Sequence, residues 1–217
     1  MKVNDTLANA TRAAHDVGLA AWLGGAMFGK FAHNPSLRKI TSHTERGSVS
    51  NAAWNGYNPI NAAGLGAAAL GWGAARLTEA HPEELTGTER TLSRVKDGLM
   101  VTAVVTGIAS GTLGARLARQ APDGAVPVES GTQPAAETPP EAAGLQRGVG
   151  ALGTVNIVTG VALVATNAVL AQTNHSHPAK RRALLRPVTR NGGSPLWLGA
   201  AAGAVAALID EARRRLT

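Results

Sequence analysis

Hydrophobic and polar positions along this 217-residue chain fall into blocks. Five uncharged or nearly uncharged stretches, 17–29, 59–75, 98–115, 148–171 and 195–209, alternate with charged ones. Crossing a bilayer takes about 20 apolar residues, with a range of roughly 17–25. The third and fourth stretches meet that length and the second just does. The first and fifth are short, so a surface-lying or re-entrant helix is the alternative there. A soluble bundle should show a polar residue on a wet face every three or four positions, and the third and fourth stretches carry no charge throughout. The pattern therefore predicts an all-α fold: an integral membrane helical bundle of about five transmembrane helices, multi-pass in the cell membrane.

The segments between are of two kinds. Residues 120–144 hold five prolines and four acids with no base, the composition of a flexible linker. The loop 175–190 is the opposite, with five bases and no acid. The organisation expected is helices one to three in 1–119, the linker in 120–144, and helices four and five in 145–217. Basic loops face the cytoplasm, which favours a cytoplasmic N-terminus only weakly, because the bases divide almost evenly between alternate loops. The N-terminal apolar run lacks a small-x-small cleavage site and reads as an uncleaved first helix.

Composition sharpens the packing mode. Charged residues are 16%, against about 25% in a typical soluble domain. The chain has 26 Gly but only two Phe and one Tyr, so its apolar content suits close backbone approach. The stretch WNGYNPINAAGLGAAALGWG (54–73) and the fragment GVGALG (148–153) raise the question of a phosphate-cradling loop. A dinucleotide site needs a preceding strand and an acid about twenty residues on. TPPEAAGLQR precedes the second and AVLAQT stands where its acid should be, so neither qualifies. Small-residue ridges for helix packing are the better use: Gly25 and Gly29, Gly64 and Gly71, Gly107 and Gly111, Gly199 and Gly203. Trp54, Tyr57, Asn58, Trp72 and Trp197 read as interfacial, with Asn58-Pro59 starting the second helix. Trp22 fits that belt less well.

Candidate chemistry is sparse. Asn156, Thr159, Thr166 and Asn167 share one helical face, where they can line a solute path or bond to a neighbouring helix. Asp16, Lys30, Arg76 and Asp97 stand at segment borders and read as snorkelling to the interface. The histidines show no metal-ligand spacing and no catalytic grouping is recognisable, so no metal, cofactor or enzyme activity is assigned. Net charge is +7, from 21 bases and 14 acids. Lys180, Arg181, Arg182, Arg186 and Arg190 suit anionic phospholipid headgroups better than nucleic acid, for which aromatics and a reading fold are missing. The expected role is a non-catalytic accessory or structural subunit of a multi-protein membrane complex. Its expected partners are other integral membrane proteins or further copies of itself. The alternatives are a small channel or transporter for a neutral solute, and a haem- or quinone-linked redox protein.

Overall fold

A computed structural model describes residues 3–78, 80, 85–121 and 125–175. Helix α1 (Val3–Phe28) runs into a π-helical turn (Gly29–His33), a short α2 (Asn34–Ser36) and a 3₁₀ turn (Leu37–Lys39). Helix α3 (His43–Leu77) returns antiparallel to α1, and α4 (Gly87–Arg119) follows. Strands β1 (Val128–Ser130) and β2 (Gln133–Pro134) pair antiparallel before α5 (Pro140–His175). Helix α1 packs chiefly on α3, and α4 chiefly on α5. Two helical hairpins result, joined through α1–α5 and α3–α4 contacts.

The helix starts follow local chemistry. Ser42 caps α3 by accepting from the Glu45 N–H at 3.3 Å. Thr86 and Glu89 form a reciprocal capping box at the head of α4. That box starts α4 well before the uncharged run at 98–115. Pro59 lies inside continuous α3 and does not open a helix. Proline withholds one backbone donor from the carbonyl four residues earlier.

Within the first hairpin, small residues let the backbones touch. A Cβ on Gly18 would sit 2.4 Å from the Gly64 carbonyl oxygen. Gly25 faces the Tyr57 ring, Gly29 the Trp54 ring, and Gly71 the Thr11 carbonyl and His15. The Tyr57 hydroxyl donates to the Ala21 carbonyl at 2.6 Å. Gly107 on α4 meets Leu65 of α3, whereas Gly111 lies open. The core runs through Leu19, Trp22, Ala68, Trp72, Met100, Ala103, Leu163 and Leu170.

The five-span membrane bundle is overturned. The described residues form four long helices, tied by an internal network of ion pairs and hydrogen bonds of the kind a soluble helical fold carries. Helices α4 and α5 are long and apolar enough to cross a membrane by length and composition, a test that core helices of soluble proteins also pass. Helices α1 and α3 do not reach it. Lys96, His15, Arg46 and Glu89 are all buried, which removes the premise that charges outside the uncharged stretches stand at a membrane surface. The multi-pass plasma-membrane placement falls with that premise, and so does the role of membrane accessory subunit. Trp22 and Trp72 are core residues, Tyr57 covers Gly25 of α1, and Trp54 covers Gly29 of the π-helical turn. Asn58 is exposed on α3. Trp197, Gly199, Gly203 and the cluster Lys180, Arg181, Arg182, Arg186 and Arg190 lie outside the described residues.

Residues 120–144 also hold more structure than their composition suggests. Val128 and Ser130 pair with Pro134 and Gln133, and Thr138 donates to the Pro127 carbonyl at 2.6 Å. The buried Gln146 amide donates to the Ser130 carbonyl at 3.1 Å, docking the strands on α5. Gly47 permits the same approach on α3, since a Cβ there would lie 2.2 Å from the Val126 carbonyl oxygen.

A candidate functional site where four helices meet

Beginning at the Thr86 cap, α4 places Ser93, Lys96, Met100 and Ala103 on one stripe, spaced three or four residues apart, and all four are buried. Lys96 is 2% exposed. Its ammonium donates to Asn167 Oδ1 of α5 at 2.6 Å and stands 4.1 Å from the centroid of the Trp72 ring of α3. A cation over an indole face is attracted by the ring quadrupole, and more strongly when water is excluded. Trp72 in turn donates its Nε1–H to Asp97 at 2.8 Å, and Arg76 pairs with the same carboxylate at 3.1 Å.

Helix α1 closes the site. The Asn167 amide donates to Asp16 at 3.0 Å, and His15 Nδ1 lies 2.8 Å from the same oxygen. His15 is 3% exposed and its Nε2 has no hydrogen-bond partner. The Asp16 contact assigns the proton to Nδ1, leaving Nε2 as a bare acceptor inside the bundle.

The two hairpins echo each other at this site. His15-Asp16 on α1 and Lys96-Asp97 on α4 are each a base followed by an acid. Asn61 precedes Trp72 on α3 by the interval at which Asn156 precedes Asn167 on α5. The bonds then run crosswise, since α5 donates to the acid of α1 and α3 donates to the acid of α4. Each hairpin therefore holds the carboxylate of the other.

Electrostatics follow from burial. Desolvation lowers the Lys96 amine from 10.5 to about 8, although Asp16 and Asp97 pull in the opposite direction. Burial also lowers His15 from 6.5, and Lys96 lowers it further against the pull of Asp16. The arrangement keeps a titratable amine and a neutral imidazole side by side among two carboxylates. Such a set can take up, hold and release protons.

Of the polar face expected on α5, Asn156 and Thr159 are buried, Thr166 is half-buried with its hydroxyl on the Ala162 carbonyl, and Asn167 reaches the site. Asn156 Oδ1 accepts from the Thr106 hydroxyl at 2.5 Å. The two asparagines are spent on neighbouring helices and Thr166 on its own, which overturns the solute path. A haem-linked site would need two facing histidines; His15 packs on Gly71, and the side chains of His81 and His175 lie outside the described residues. Among the described residues, no group of three or more His, Cys, Asp or Glu is placed to hold a metal ion.

The sequence matches no protein-family model, and comparisons with curated proteins and with solved structures also find no match.

Proposed function

We propose that the protein is a proton-responsive helical module, in which a buried amine at the joint of two helical hairpins gains and loses a proton and alters their coupling. The observation that carries this reading is the placement of Lys96, sealed from water against Trp72 and Asn167 with Asp16 and Asp97 as its counter-charges. Burying a cation is costly, and perturbed groups concentrate at working sites. While charged, the ammonium holds the Asn167 carbonyl with a charge-assisted bond, which turns the amide nitrogen toward Asp16. Loss of the proton weakens that bond and leaves the two carboxylates without the cation between them. The α1–α5 contact is the part of the fold that answers.

The sign is set by linkage. Below about pH 8, Lys96 is protonated both folded and unfolded, and the folded state carries the full cost of the buried charge. Between about 8 and 10.5 the unfolded chain binds more protons, so this group makes stability rise with pH across that window. The shift corresponds to roughly 3 kcal/mol. Hydrogen exchange at pH 7 and pH 9.5, corrected for intrinsic rates, tests the reading. We expect protection in α1 and α5 around Asp16 and Asn167 to change with pH in the native protein and to stay constant in Lys96→Met. Identical pH responses in both proteins would show that the amine is not the responder.

A further inference from the structure

The end of the molecule opposite Lys96 presents a different surface, and it carries an inference independent of the proton site. Both phenylalanines of the chain are there, and both point outward: Phe28 is 64% exposed and Phe31 66%, with Met27 beside them. The π-helical turn produces this arrangement. Its wide turn is closed by the Asn34 N–H on the Gly29 carbonyl, and it directs Gly29 onto the Trp54 ring while Phe28 and Phe31 face away. Phe28 stacks on His33, which meets Trp54 edge-on, so the turn is stiffened from inside.

The tip's own segment is basic. From residue 17 to residue 44 the sequence has no acid, while Lys30, Arg38 and Lys39 follow the phenylalanines. Arg38 and Lys39 are exposed. Glu129 of β1 and Glu137 in the turn after β2 are engaged by Arg46, Arg38 and His43. Arg116 and Arg119 end α4 at the same end of the bundle. Exposed aromatics that insert between headgroups, rimmed by cations that attract phosphates, make up the composition of an interfacial anchor.

We propose that the tip formed by 27–39 rests on an anionic phospholipid surface, with Phe28 and Phe31 entering the headgroup layer, Lys39 holding phosphates, and Arg38 and Lys30 adding positive charge from their bonds to Gln133 and Thr154, without crossing the bilayer. A cysteine-free chain allows a clean test. An environment-sensitive dye on Ala32→Cys reports the tip, and the same dye on Thr91→Cys reports the opposite end, both in the full chain. With vesicles of phosphatidylglycerol and phosphatidylcholine, the tip dye should shift to the blue and the Thr91 dye should not. Raising salt from 0.1 to 0.5 M should weaken partitioning severalfold. Phe28→Ser with Phe31→Ser in the Ala32→Cys chain should weaken the dye response at least tenfold at an unchanged melting temperature. The proposal is overturned by equal shifts at both ends, by an equal response to pure phosphatidylcholine, or by an unaffected double variant. A shift produced by polyglutamate but not by vesicles would also overturn it, in favour of an acidic protein partner.

Discussion

Two buried cations, at opposite ends of the bundle, are treated in opposite ways. Arg46 at the head of α3 is 8% exposed and fully employed: Nε donates to the Ile40 carbonyl at 2.7 Å, and one terminal nitrogen reaches both the Glu129 carbonyl and its carboxylate at 3.0 Å. Its other terminal nitrogen faces the Arg38 carbonyl at 3.5 Å. Lys96 is buried still more deeply, yet it has one hydrogen-bond acceptor and an aromatic face. A guanidinium presents a rigid fork of five donors and keeps its charge, whereas an ammonium is a compact charge that gives up its proton when solvent is withdrawn. The lesson is that depth of burial alone does not decide whether a charge becomes titratable. The number of acceptors that replace water decides it, and by that measure the α3 end is a fixed rivet and the α4 end a responsive joint.

The sharpest way to break the comparison is to remove the rivet. Arg46→Ala should cost about 2–3 kcal/mol in urea unfolding, because backbone carbonyls lose their charged donor and the part-exposed Glu129 loses one partner. Arg46→Lys should recover less than half of that, since a point charge cannot serve the same acceptors. Removing the joint should do the reverse. Lys96→Met should leave stability at pH 7 unchanged or raise it by up to about 3 kcal/mol, because a buried charge is exchanged for an apolar side chain of similar length. The stability-versus-pH curve from 8 to 10.5 should flatten in that variant. A steep rise that persists there would mean that another group carries the titration.

Next comes the contact that fixes how closely α1 and α3 approach. Gly18→Ala should cost about 1–3 kcal/mol by overpacking against the Gly64 backbone, whereas Gly111→Ala, in open space, should be neutral or slightly stabilising through helix propensity. Thermal melts separate the two. The smallest effect belongs to His15. Its folded value lies below 6.5, so the unfolded chain binds more protons as pH falls through that region, and the protein should lose stability on acidification below about 6.5. His15→Gln should blunt that loss in melts run between pH 7 and pH 5.

Much of the helical layout was legible in the sequence. The uncharged stretches at 59–75, 98–115 and 148–171 all fall within helices. The small-residue positions Gly25, Gly29, Gly64 and Gly71 meet partners on the facing helix. The site was not legible by the same route. Counting uncharged runs starts the third stretch at Gly98, one residue after Asp97, and so sets Lys96 and Asp97 aside as border residues. The capping box Thr86–Glu89 was the signal that could have found them, because a helix counted from there carries Ser93, Lys96, Met100 and Ala103 on a single face. The docked strands at 128–134 had no such signal. Their burial depends on Arg46, Gly47 and Gln146, which are distant in the chain.

The sequence alone placed helix at 59–75, 98–115 and 148–171, because runs of Ala, Leu, Val and Gly are a local property, but not where those helices begin. It also determined that helices would approach closely, because small side chains leave nothing else at the contact. Only the tertiary structure decided which way each charge faces. An amine enters a core when a neighbouring helix supplies an acceptor and an aromatic face at the same depth, and Asn167 and Trp72 come from helices that the sequence places far from Lys96. The balance between desolvation and those distant partners turned residues at segment borders into the joint between the two hairpins.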